Sequence, residues 1–319
     1  MIYQMVETNT LKFKDEVIIN KISKVAKGLN LTDGFMTFIK QMISLSLLLR
    51  RYDPPLSRTF RTIDEKAQDP SYFISTYLDT DDIDQALWVY RMVRLLSRYV
   101  LLSDRFFETG SDKYALLAKR VRGSINEFLL DGTDRDYLAY SIDYSLNQFW
   151  PFWKFEQTIK RRTLGDYTFS YKEIKHFNLS KSSDASIIYA KVLDAKLPSF
   201  SENVSLVLHY KQAFLDILDD WEDIEEDVQE DMPNVFVMAA VEDIPYHIIK
   251  NSGHERIRNV VLDGTNSRSS IVRLVKEYQA AIRKISIPHT LVFLKSLSDH
   301  YADTLRGIVS SSGNSQYVT

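Results

Sequence analysis

The stretch at residues 216–234, DILDDWEDIEEDVQEDMPN, carries five aspartates and four glutamates in its first fifteen positions. At about 100° per residue on a helix, Asp216, Asp219, Asp220, Asp223 and Asp227 fall within about 100° of one another, because steps of three and four return to the same side. Ile217, Trp221, Ile224 and Val228 form the apolar flank of that stripe, while Glu222, Glu225, Glu226 and Glu230 sit mostly on the other side. Short carboxylates therefore border the core and long ones face away from it. A solvated acidic face has no reason to sort Asp from Glu, and like charges at i,i+4 destabilise a helix by roughly 0.2–0.5 kcal/mol per pair. Bound cations would relieve that repulsion. Acidic runs are nonetheless common on solvated helices, so the stripe by itself leaves both readings open.

The rest of the chain narrows the class of protein. Its 319 residues, 45% of them hydrophobic, suffice for a large core, and the expectation is one α-helical domain over 1–309 with a flexible tail, SSSGNSQYVT, at 310–319. The net charge of -3 gives no basic excess that would point to nucleic acid or to an anionic membrane. Having no cysteine, the chain excludes disulfides, thiolate catalysis and Cys-based metal sites, which suits a cytoplasmic location. The N-terminus lacks the pattern of a signal peptide, and the longest apolar segment, MISLSLLL at 42–49, is too short to span a bilayer, so no integral membrane protein is expected.

Ten glycines and eight prolines are too few for a turn-rich β protein. The spacing of apolar residues predicts an all-α chain, with helices near 12–28, 33–51, 82–108, 112–130, 134–160, 171–177, 182–196, 201–231, 233–240, 244–250, 254–262, 267–285 and 288–309. Pro151 should kink or split the helix in NQFWPFWKFE, and Pro233 should stop the acidic one.

A second carboxylate pair, Asp104 and Glu108, lies in LWVYRMVRLLSRYVLLSDRFFE at 87–108. Val93, Ser97 and Val100 lie behind this pair on the wheel, and Arg91, Arg94, Arg98 and Arg105 form a separate stripe that would take the solvent or partner face. Asp104 is then expected to point inward, where an unpaired carboxylate is costly. It would either pair with an interior Lys or Arg, or share hard cations such as Mg²⁺ with the 216–227 stripe, since Mg²⁺ prefers carboxylate oxygen. The six histidines show no HxxxH-type spacing, which gives zinc little support.

These residues resemble the class I isoprenoid synthases, which include trans-prenyltransferases, squalene and phytoene synthases, and class I terpene cyclases. Ser103-Asp104-xxx-Glu108 is similar to the family's first metal motif, DDxxD or DxxxE. Asp219, Asp223 and Asp227 match the second, at i, i+4, i+8, and VQEDMPN resembles its acidic-to-proline exit. LSKSSDASIIYAKVL at 179–193 looks like the Lys-Thr helix start that binds diphosphate, with Lys181 as the ligand.

The resemblance implies a single-domain helical bundle around a central cavity, and Mg²⁺, three ions in all, with Mn²⁺ as a substitute. Asp104, Glu108, Asp219, Asp223 and Asp227 would be metal-binding and catalytic. An allylic prenyl diphosphate would be ionised to a carbocation against aromatic walls: Phe106, Phe107, Trp150 and Trp153, with Phe149 and Phe152. A homodimer is compatible with it. Ser103 replaces the motif's leading aspartate, and TGSDKY follows Glu108 where chain-elongating enzymes carry paired arginines. Both departures favour a terpene synthase, a carbon–oxygen lyase, over chain elongation or head-to-head coupling. A non-catalytic helical interaction protein remains the alternative from a different class.

Overall fold

The computed structural model of the chain describes residues 16–31, 34–52, 67, 69–130, 135–146, 149–165 and 167–311. Every regular element among them is helical, so the chain is all-α as expected. The described helices gather into two compact units. The first comprises residues 1–144, 188–201 and 288–293, and the second residues 145–187, 202–287 and 294–319.

The first unit holds α1 (Glu16–Lys27), α2 (Phe35–Tyr52), α3 (Ser71–Thr80), α4 (Ile83–Thr109), α5 (Asp112–Leu130) and most of α6 (Arg135–Leu146). Helix α3 was not anticipated, and its burial explains why: Ser71 to Tyr77 are all buried, so the segment has no polar face from which a helical period could be read. Two of its buried hydroxyls bond back within the helix. Ser75 Oγ donates to the Ser71 carbonyl at 2.7 Å and Thr76 Oγ1 to that of Tyr72 at 2.9 Å. Asp81 ends α3 in a left-handed conformation (φ 52°), and Asp82 then caps α4, accepting from the amides of Asp84 and Gln85 at 2.9 and 3.0 Å. Helix α4 stops at Gly110, whose φ of 64° suits a residue without a Cβ.

In α4 the arginine stripe is not the solvent face. Arg94 and Arg98 are 0% and 1% exposed, and Arg91 and Arg105 are half-buried. Both α3 and α5 pack along α4, so a 27-residue helix that looks one-sided on a wheel is covered on more than one side. The premise that turned Asp104 inward therefore fails, and Asp104 is half-buried.

The second unit is built from α7 (Phe149–Leu164), residues 171–187 of α8 (Tyr171–Asp194), α9 (Glu202–Glu222), α10 (Ile224–Gln229), α11 (Val235–Ala240), α12 (Tyr246–Asn251), α13 (Ile257–Asp263), α14 (Thr265–Lys284) and nearly all of α15 (Phe293–Ser311). All six residues of α11, VFVMAA, are buried. An element apolar all round belongs at a centre, and α11 packs against α9, α10, α13 and α14, joined in the core by Phe214, Ile217, Ile271, Leu274 and Tyr278.

The expected helix over 134–160 is divided into α6 and α7, with residues 147–148 outside the described part. Pro151 lies in the first turn of α7, where its missing N–H would have had no helical partner. The expected break between 177 and 182 is absent. Helix α8 runs through, with Ser182 Oγ donating to the Asn178 carbonyl at 2.8 Å, so a serine-rich segment stays helical by back-bonding to its own turn. Lys181 is accordingly mid-helix, where a helix start had been expected. At the C-terminus α15 extends to Ser311, and residues 312–319 lie outside the described part.

Candidate functional site

The acidic stretch spans α9 and α10, and the single helix expected over 201–231 bends at Asp223 (φ -95°, ψ 5°). The bend keeps the i,i+4 register, because the Asp223 amide donates to the Asp219 carbonyl and the Asp227 amide to the Asp223 carbonyl, both at 2.9 Å. The sorting of short from long carboxylates is present. Asp220 is buried, Asp216, Asp219, Asp223 and Asp227 are half-buried, and Glu222, Glu226 and Glu230 are exposed. Glu225 is the exception, with its side chain only 14% exposed and Arg258 on it, Nε to Oε1 at 2.7 Å. Arg258 also donates to the Glu222 carbonyl at 2.9 Å and stacks over Trp221, 5.2 Å from the ring centroid. On its other contact Trp221 meets Phe236 at a centroid distance of 5.2 Å.

Lys181 reaches into this stripe from α8. Its ammonium donates to Asp220 Oδ1 at 2.6 Å, and Asp220 Oδ2 accepts the Val235 amide at 2.7 Å. One residue on, the Ser182 hydroxyl shares its single proton between the Asn178 carbonyl and Asp216 Oδ2, the latter at 2.6 Å, and Gln212 Nε2 donates to Asp216 Oδ1 at 2.8 Å. Asn234 closes the other end. Its amide nitrogen donates to the Asp220 carbonyl at 2.6 Å and to Asp227 Oδ2 at 2.8 Å, while its side-chain oxygen caps α11 by accepting from the Phe236 and Val237 amides. One polar network thus ties α8, α9, α10 and α11 together.

The electrostatics follow from crowding like charges in a buried place. Burial pushes Asp216 up to about 6, against the opposing pull of Lys181 and the hydrogen bonds from Ser182 and Gln212. Burial and then the neighbouring Asp220 charge push Asp227 up to about 7. Asp220 is also raised by burial, with Lys181 opposing. For Lys181 burial works against the charge, yet Asp220, Asp216, Asp219 and Asp227 together hold its pKa well above the usual lysine value. Four carboxylates bear on one ammonium.

The other expected site residues are placed as follows. Asp104, Phe106 and Phe107 are half-buried in the last turns of α4 in the first unit, with the two phenylalanine rings 5.6 Å apart. Glu108 belongs to α4, but its side chain lies outside the described residues, as do those of Phe149 and Trp150. Trp153 and Phe152 are half-buried on α7 in the second unit. The structure therefore brings Lys181 together with the 216–227 stripe.

Lys181 was expected to bind diphosphate and to pair with no aspartate, and Ser182, Gln212 and Asn234 were not among the expected site residues. For Asn234 a signal existed: an asparagine directly before the apolar run VFVMAA is an N-cap signature. Its two further hydrogen bonds, to groups seven and fourteen residues away, have no such local signature.

Carboxylate oxygens in this number suit a hard cation such as Mg²⁺ in donor chemistry, and a dication would offset the repulsion that raises Asp227. A ready-made coordination shell is not formed: among the described residues no three of Asp, Glu or His gather closely enough to hold an ion. No protein-family model, curated protein or solved structure matches the chain.

Proposed function

We propose that the chain is a class I terpene synthase that ionises an allylic prenyl diphosphate in the presence of Mg²⁺, within an isoprenoid-synthase-type helical bundle. The observation that carries this reading is the gathering of Asp216, Asp219, Asp220 and Asp227 around one lysine, an arrangement for which a solvated acidic helix has no physical reason. Asp219, Asp223 and Asp227 would hold metal. The metal, when bound, supplies Lewis-acid stabilisation of the diphosphate leaving group.

The chain's own residues have distinct tasks. Lys181, kept charged by its aspartates, offers a fixed cation to diphosphate oxygens. Asp220 anchors that lysine, and Asn234 orients Asp227. Trp153 would present its ring face to a carbocation, worth about 1–2 kcal/mol when desolvated.

The test is incubation with geranyl, farnesyl, geranylgeranyl and geranylfarnesyl diphosphates plus Mg²⁺, followed by analysis of released diphosphate and hydrocarbon. Consumption of one substrate to a hydrocarbon or terpene alcohol, without lengthening when isopentenyl diphosphate is added, supports the reading. Elongation only with isopentenyl diphosphate replaces it with a prenyltransferase. Consumption of no prenyl diphosphate rejects both.

A second reading is favoured by the closed Lys181–Asp220 pair at 2.6 Å: a structural polar core whose exposed Glu222, Glu226 and Glu230 meet a basic partner protein. Under that reading inorganic diphosphate with Mg²⁺ leaves the melting temperature unchanged. Under the first it raises it.

A further inference from the structure

Helix α2 has two apolar faces. Phe38, Met42, Leu45 and Leu49 are buried and, at about 100° per residue, fall within about 60° of one another. On the opposite side Met36, Ile43 and Leu47 fall within about 40°, and they are 68%, 57% and 55% exposed. Lys40, Arg50 and Arg51 are exposed beside this second stripe, and none of the eighteen residues of α2 is acidic. The adjoining α1, packed on α2, exposes Lys21, Lys24 and Lys27 against a single exposed acid, Glu16. A whole-chain charge of -3 conceals this local excess.

We propose that this face of α2 docks the protein on the surface of an anionic lipid bilayer. An aliphatic stripe flanked by cations is the pattern that lies in a bilayer interface, the stripe entering the acyl boundary while Lys and Arg stay at the headgroups. The helix lies on the membrane and does not cross it, since no described helix is long and apolar enough to span. Charge complementarity selects the occupant. A second copy of the same face would set Lys40 and Arg51 against their own kind with no carboxylate on α2 to answer them. Anionic headgroups answer them directly, at about 1 kcal/mol per cation, or roughly a five-fold gain in partitioning. The proposal does not depend on the enzymatic reading, and its test uses no prenyl substrate.

The experiment is flotation of the full chain with vesicles of phosphatidylcholine alone and of phosphatidylcholine with phosphatidylserine. The chain is expected to float with the phosphatidylserine vesicles only, and less so as salt is raised. Lys40→Gln and Arg51→Gln should each lower partitioning about five-fold. Ile43→Ser with Leu47→Ser should lower it at least about ten-fold. Circular dichroism and the melting temperature should stay at the parent values, because all four side chains are exposed. Absence of phosphatidylserine-dependent flotation, or flotation unchanged in these variants, overturns the proposal. So does a dimer in solution that Leu47→Ser dissociates when no vesicle binding is seen, which would assign the face to a second copy.

Discussion

Helices α4 and α9 both carry charge toward the interior, but α4 buries one sign and α9 buries both. In α4 the buried ions are Arg94 and Arg98, and the carboxylate expected inside, Asp104, is half-buried. In α9 the buried ions are Lys211, at 0% exposed, and Asp220, at 2%, and Asp220 is met by a lysine from another helix. A helical wheel divides faces correctly when one side of the helix is open to water, as α9 and α10 show with their exposed glutamates. It misassigns them when neighbours cover several sides, as in α4. The sign of the buried charge then depends on what the neighbours bring, which the helix's own sequence does not contain.

The contrast can be broken most directly at Asp220. Asp220→Ala leaves the Lys181 ammonium without its anchor and the Val235 amide without its acceptor, and should cost about 3–5 kcal/mol of unfolding free energy in denaturant titrations. A loss no larger than that from Asp104→Asn would erase the distinction between the two helices.

The pH dependence tests the crowding itself. Asp216 and Asp227 titrate near 3.9 when unfolded and at about 6 and about 7 when folded. Between about pH 4 and about pH 7 the folded state therefore binds more protons, and stability contributed by these groups falls as pH rises. His209, lowered by burial, acts in the opposite sense below about pH 6.5. The informative quantity is thus the difference between the parent and Asp227→Asn: the variant should lose the upper part of the decline. Parallel stability profiles for the two proteins would show that Asp227 is not raised by its surroundings.

Asn234→Ala removes the cap of α11 and the hydrogen bonds to Asp227 and the Asp220 carbonyl, and should cost about 1–3 kcal/mol, measured by thermal unfolding. Asp104→Asn, on a half-buried residue, should change stability by about 1 kcal/mol or less. Glu222→Gln, at the exposed end of α9, should stay within about 0.5 kcal/mol in the same assay.

Most of the helices could be read from punctuation, since Asp82 before α4, Gly110 after it and Asn234 before α11 are ordinary caps, and from the spacing that a wet face gives, as on α9. The inward aspartates were legible for the same reason. What escaped reading depends on tertiary contact. Helix α3 has no wet face over Ser71 to Tyr77, and Ser182 keeps α8 continuous by bonding within it while its hydroxyl reaches Asp216. Asp219 and Asp220 are adjacent carboxylates of equal local standing. Only the approach of Lys181 and the Val235 amide makes Asp220 the anchor.

Trp221 sits between Asp220 and Glu222, pressed on Phe236 and covered by the Arg258 guanidinium. It is one of only four tryptophans in the chain. In optical terms the acidic bend carries its own fluorophore. With Trp88, Trp150 and Trp153 replaced by phenylalanine, the remaining emission would come from this ring alone. Any ion or diphosphate that repositioned Glu225 would shift Arg258 on the indole face and could be followed as a change in intensity, titrated in solution without a label.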